Sequence, residues 1–199
     1  TVTVRDLDYG EENTATVTVD KLDTLSPAVT ISGGKDGWTN TDQTLTISAS
    51  DTQSGVGKKW YKIVSNTDEI PTEGLTELTG NKITLSKEGR YYIYYKIYDN
   101  AGDTDLDREA NKTEGFKAVL IDKTAPTVSF GEYSANAGIT VTATDITSKL
   151  ASLSYRIGNG AEIPITLTNG QIEKVFTITD LSAGNNEITV TATDNAGLC

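Results

Sequence analysis

The chain has 199 residues, enough for two domains of about 90 residues with a modest core each. It carries 17 Lys and Arg against 28 Asp and Glu, a net charge of −11, which argues against nucleic acid or an anionic membrane surface as partner. With His 0 and Cys 1, it lacks the commonest general base, the commonest zinc ligand and any internal disulfide.

The first element, "TVTVRDLDYG" (Thr1–Gly10), reads as a strand that stops at an Asp-led turn. A second strand follows, then a Pro linker and a new strand, in "ATVTVDKLDTLSPAVTIS" (Ala15–Ser32). Further strands are predicted near Thr44–Ser50, Lys58–Val64, Lys82–Ser86, Tyr91–Tyr98 and Phe116–Ile121. "TLTISASD" sets the pattern: Leu45, Ile47 and Ala49 alternate with Thr46, Ser48 and Ser50, the period of a half-buried strand. No window has a helical period, and turn strings such as "SGGKDG", "QSGVG" and "KEG" recur at short spacing.

After the linker "DKTAP" the pattern starts again. Strands are predicted near Thr127–Phe130, Ile139–Thr144, Ser152–Ile157, Gly160–Leu167, Gln171–Thr179 and Asn186–Thr193. "YYIYYKIYDNAG" (Tyr91–Gly102) and "ITVTATDNAG" (Ile188–Gly197) end on the same tetrapeptide, and linker prolines Pro27 and Pro126 stand 99 residues apart. Self-similarity at this period predicts an array of domains. The expected fold is all-β, as tandem antiparallel β-sandwiches: residues 1–24 as the closing hairpin and linker of a preceding repeat, 25–122 as one sandwich, and 123–199 as a second without its last strand. The chain starts at Thr1 with Met 0, so it is expected to be a piece of a longer protein. The opening hairpin, Thr1–Asp20, is then expected to pack on the first sandwich or to add to an open edge of a neighbouring molecule. The alternative is that the boundaries carry no such meaning. Cys199 is either an ordinary thiol beside an absent segment or half of an intermolecular disulfide.

The "DNAG" that closes a strand, the "IDKTAP" that opens the next unit, and the third-strand strings "SGVGKKWYKI" (Ser54–Ile63) and "SKLASLSYRIGNG" (Ser148–Gly160) together resemble bacterial immunoglobulin-like repeats. The resemblance covers Leu25–Gly197 and the opening hairpin. It implies immunoglobulin-like sandwiches from large exported surface proteins, as adhesins, stalks or non-catalytic parts of secreted glycan-degrading enzymes. Fold alone does not choose among these.

Candidate sites follow from the acidic and aromatic residues. In such a sandwich, the turns after the second and penultimate strands meet the incoming linker at one pole. That pole would gather Asp51 and Asp99 with Asp20 and Asp23 in the first unit. In the second it would gather Asp145, Asp194 and Asn195 with Asp122. Clustered carboxylates suit calcium, whereas the simpler reading is that each Asp caps its own turn. The insert after the first "DNAG" places Asp103, Asp105 and Asp107 at the first, third and fifth positions of a loop, with Glu114 at the twelfth. That spacing matches an EF-hand-type calcium loop, except that Arg108 stands where Gly belongs; a solvated acidic loop is the alternative. Along Tyr91–Tyr98, Tyr92, Tyr94 and Tyr98 share a face with Lys96 and are expected to form an exposed stripe, which with Trp38 could stack on sugar rings. Cross-strand pairing is the alternative for that stripe.

The expected function is a structural and adhesive repeat region, spacer or binding module, of a long extracellular bacterial surface protein. Its partners would be a protein or glycan on a host or neighbouring cell. The second reading is a carbohydrate-binding accessory region of a secreted glycoside hydrolase. Neither reading includes catalysis, a segment inserted in a membrane or nucleic acid, and calcium is the one cofactor in view.

Overall fold

A computed structural model describes residues 22–101 and 111–199, together with the backbone of two short strands nearer the start of the chain. The described residues form strands, with no helix among them. The first two strands, β1 (Val2–Arg5) and β2 (Glu12–Ala15), pair antiparallel.

The next eight strands form two sheets. β3 (Ala28–Gly33), β5 (Gln43–Ser50) and β8 (Lys82–Leu85) make a three-stranded sheet in the order β3-β5-β8. β4 (Trp38–Thr39), β6 (Val56–Val64), β7 (Thr76–Glu77), β9 (Gly89–Asp99) and β10 (Lys112–Ile121) make a five-stranded sheet in the order β4-β10-β9-β6-β7. The short β4 joins β10 in parallel, with Trp38 opposite Leu120. Period-two alternation decides which side chains go in. In β5, Gln43, Leu45 and Ile47 are buried while Thr44 and Ser48 are exposed. Leu45 faces Ile83 across the β5–β8 pair, and both are buried. Ile93, Ile97, Val119 and Ile121 are the corresponding buried residues of the five-stranded sheet. Burial of each such aliphatic side chain contributes about 1.5–3 kcal/mol.

The last six strands repeat the arrangement with fewer members. β11 (Thr127–Ser134), β12 (Gly138–Thr144) and β15 (Glu173–Ile178) form one antiparallel sheet in that order. β13 (Leu150–Ile157), β14 (Ile163–Pro164) and β16 (Ile188–Asp194) form another in the order β14-β13-β16. The two sheets share a core: Ala143 of β12 packs with Leu150 and Leu153 of β13 and Ala192 of β16, flanked by Val128 and Phe176. The rings of Tyr155 and Phe176 meet at 5.9 Å between centroids. Gly138 opens β12 at φ +81°, and a Cβ there would lie 2.1 Å from the carbonyl oxygen of Ile178, so the strand entry requires glycine.

Packing divides the chain into two compact units. One comprises Thr1–Val29, Ala49–Lys58 and Ile97–Thr113; the other comprises Thr30–Ser48, Lys59–Lys96 and Glu114–Cys199.

The structure corrects one expectation about the aromatics. Tyr94 and Tyr98 are 0% and 1% exposed, and Lys96 between them is also buried, so they do not form an exposed stripe with Tyr92. Ile93 and Ile97 on the opposite face are buried as well. The reason is that β9 lies inside the five-stranded sheet between β10 and β6. Side chains of the neighbouring strand cover its outer face: the Phe116 ring is tilted over Tyr94 at 5.2 Å, and the Tyr94 hydroxyl donates to Glu114 Oε2.

Candidate functional site

Two sets of three aspartates converge, one in each compact unit. Asp23, Asp51 and Asp99 form the first, Asp122, Asp145 and Asp194 the second, and in each set one carboxylate oxygen per residue lies within 4.8 Å of the others. The members come from the elements that the strand pattern predicts. Asp51 and Asp145 directly follow β5 and β12, Asp99 and Asp194 end β9 and β16, and Asp23 and Asp122 precede β3 and β11.

The same hydrogen bonds hold both sets. Asp23 Oδ1 accepts from Leu25 N–H at 2.9 Å and Oδ2 from Ser54 N–H at 3.0 Å. Asp122 Oδ1 accepts from Thr124 N–H at 3.0 Å and Oδ2 from Ser148 N–H at 2.9 Å. Asp51 Oδ1 accepts from Gly55 N–H, and Asp145 Oδ1 from Lys149 N–H. Asp99 Oδ1 caps Ala101 N–H, and Asp194 Oδ1 caps Ala196 N–H. Asn100 Nδ2 donates to the Ser54 carbonyl, and Asn195 Nδ2 to the Ser148 carbonyl. Each member of the second set lies 94–99 residues after its counterpart. The left-handed backbone is repeated as well: Gly55 has φ +82° and its counterpart Lys149 has φ +76°. Holding a lysine in that left-handed region costs about 1–2 kcal/mol, so the surrounding bonds over-determine it.

Capping is therefore real in both sets, as the simpler reading of the turns anticipates. What sequence reasoning missed are Ser54 and Ser148, whose backbone N–H groups tie the linker aspartate to the turn. The signal was present as Asp-x-x-Ser in "DTQSG" and "DITSK".

The environments of the two sets differ. Asp23 and Asp51 are half-buried and Asp99 is buried, whereas Asp122, Asp145 and Asp194 are all buried. Hydrogen bonding, first from the Ser54 side chain and then from Leu25 N–H, holds Asp23 below the usual carboxylate range. Burial pushes Asp145 above that range, aided by the charges of Asp122 and Asp194 and opposed by the Lys149 N–H. Among the described residues, the carboxylate–ammonium pairs Lys117–Asp36 and Lys123–Asp42 lie outside both sets. A glutamate fastens the linker beside the second set: Glu88 Oε2 accepts from Lys123 N–H and Thr124 Oγ1, and Oε1 from Thr147 Oγ1.

Of the acidic insert, Asp103, Asp105 and Asp107 lie outside the described residues. Glu114 belongs to strand β10 and accepts the Tyr94 hydroxyl. Trp38 is half-buried on β4 with the Arg90 guanidinium 5.7 Å from its ring centroid. The half-buried Tyr92 hydroxyl receives Arg90 Nη1 at 3.4 Å. No protein-family model matches the chain, and no curated protein matches it.

Proposed function

We propose that this chain is a run of tandem immunoglobulin-like sandwiches from a long extracellular bacterial surface protein, serving as spacer or adhesive module toward a protein or glycan on another cell. The observation that carries the reading is the duplicated aspartate constellation, because the bonds that tie linker to turn recur at corresponding positions, with a left-handed residue after each serine. The strand orders support it: β3-β5-β8 corresponds to β11-β12-β15, and β9-β6-β7 to β16-β13-β14. In this reading Asp23 and Asp122 belong to the linkers that enter successive sandwiches. Duplicated framework geometry is what a chain that sets distances needs, since each repeat then enters the next in the same way. The glycan-binding accessory reading loses its tyrosine platform, because Tyr94 and Tyr98 are core residues.

Small-angle scattering of the whole chain tests the proposal. A single compact body of 199 residues has a radius of gyration of about 16 Å, and tandem sandwiches should exceed about 20 Å. A value near the compact figure would sink the array reading. Strong retention on a glycan array, abolished by Trp38→Ala, would move the assignment to the accessory-module reading.

A further inference from the structure

We propose that Asp122, Asp145 and Asp194 form a calcium site. The inference does not depend on the tandem-array reading, since it rests on one cluster alone. Three observations carry it.

The first is size. Oxygens that share one calcium at about 2.3–2.6 Å lie no more than about 5 Å apart, and the three carboxylates converge within 4.8 Å.

The second is a pair of buried oxygens without a protein partner. Asp194 commits Oδ1 to the N–H groups of Ala196 and Leu198, at 2.8 and 2.9 Å, while its Oδ2 has no hydrogen bond. Ser148 Oγ is likewise buried and unbonded, on the residue whose N–H already donates to Asp122 Oδ2. Asp194 is 2% and Ser148 1% exposed, so bulk water does not reach them freely. Turn capping accounts for Oδ1 of Asp194 and gives no reason for the burial of Oδ2. A buried oxygen that lacks a donor is costly, and a cation removes that cost.

The third is charge. Three buried carboxylates lie side by side, and among the described residues no Lys or Arg side chain pairs with any of them. Lys123, which directly follows Asp122, gives its ammonium to Asp42 and the Ser86 carbonyl, and the Lys149 ammonium lies beside Gly170. Only a cation or added protons can balance this cluster.

The donor set selects the ion. It is all oxygen, with no imidazole anywhere in the chain, which favours hard cations over zinc or copper. The carboxylates are fixed by three separate turns, so their directions are set by backbone geometry and not by an octahedron. Calcium tolerates such irregular sets of about six to eight oxygens, whereas magnesium requires near-octahedral order. Asp122, Asp145, Asp194 and the Ser148 hydroxyl would contribute ligands, and water the remainder.

The test is calorimetric titration of the chelator-stripped whole chain with calcium chloride, comparing the native protein with Asp194→Asn. The asparagine keeps Oδ1 for Ala196 and Leu198 but replaces the unpartnered charged oxygen. We expect saturable binding, weakened about tenfold or more by Asp194→Asn. Without calcium, the variant should resist urea at least as well as the native chain, because charge repulsion is relieved; a purely structural aspartate would not behave so. Ser148→Ala, which leaves every backbone hydrogen bond and charge in place, should weaken calcium binding severalfold while leaving the calcium-free urea midpoint unchanged, and it keeps the test open if Asp194→Asn does not fold. The proposal is overturned if the stripped chain gives no saturable heat with millimolar calcium, if the folded variants bind as the native chain does, or if magnesium binds as tightly as calcium. Scattering reads the array proposal separately, so either can fail without the other.

Discussion

Replacing Asp194 by alanine and by asparagine, and comparing the two variants with each other, isolates the capping contribution of this residue. Both substitutions remove the same negative charge from the cluster, so its electrostatic effect cancels in the difference. What remains is the fate of two N–H groups. Asn retains an oxygen in the place of Oδ1, whereas Ala leaves the N–H groups of Ala196 and Leu198 without their acceptor. Ala196 is buried, so its orphaned donor should cost about 1–3 kcal/mol. Leu198 is half-buried and water can partly replace the bond, which reduces its share to about 0.5–1.5 kcal/mol. The alanine variant should therefore be about 2–4 kcal/mol less stable than the asparagine variant. Urea unfolding in calcium-free buffer measures this as a difference in midpoint at constant m. If the two variants agree within about 0.5 kcal/mol, the turn that follows β16 is held by something other than Asp194, and the argument from capping fails.

Two other predictions address different regions. Tyr94→Phe removes the hydroxyl that reaches Glu114 but keeps the ring against Phe116, and should cost about 1.5–3 kcal/mol by urea unfolding; an unchanged midpoint would contradict the core placement of Tyr94. Glu88 is held below its ordinary value of 4.5, first by the Thr124 hydroxyl and then by Lys123 N–H. A carboxylate whose folded value is depressed contributes stability that is present above the ordinary value and lost as pH falls through the depressed one. The stability advantage of the native chain over Glu88→Gln should therefore hold at neutral pH and shrink as the solution is acidified through that range. A difference independent of pH would refute the assignment.

The all-β character was legible because alternation is a local signal. "TLTISASD" and "GITVTATD" place Leu45, Ile47, Val141 and Ala143 inward, and these are the residues the structure buries. The short strands β4 and β7 were not legible, since two residues carry no period. The predicted strand Gly160–Leu167 shrinks to β14 at Ile163–Pro164, with one further bond from Ile165 N–H to the Leu153 carbonyl. The tyrosine stripe was misread for a further reason. Alternation assigns one face of a strand to the core and cannot report what covers the other. Here β9 is internal to its sheet, and Phe116 and Glu114 on β10 close over Tyr94. The aspartates were legible as groups at one pole, because strand ends and linkers fix where Asp51, Asp99, Asp145 and Asp194 must lie. Their hydrogen bonds through Ser54 and Ser148 were not, because these join residues dozens of positions apart in the chain.

The two aspartate sets also show how far a shared framework determines electrostatics. The bonds that tie linker to turn correspond, yet Asp23 in the first set is held low and Asp145 in the second is pushed high. In the half-buried set, donors reach a carboxylate that water still serves, so hydrogen bonding prevails over desolvation. In the buried set, the loss of water outweighs the Lys149 N–H, and neighbouring charges add to it. The strain follows the same division. The half-buried copy uses Gly55, which accepts φ +82° without a steric cost, whereas the buried copy imposes φ +76° on Lys149. One set of turns can thus serve as plain scaffold where it is hydrated, and as a concentrated negative centre where it is dry. Burial, more than the identity of the aspartates, separates the two roles.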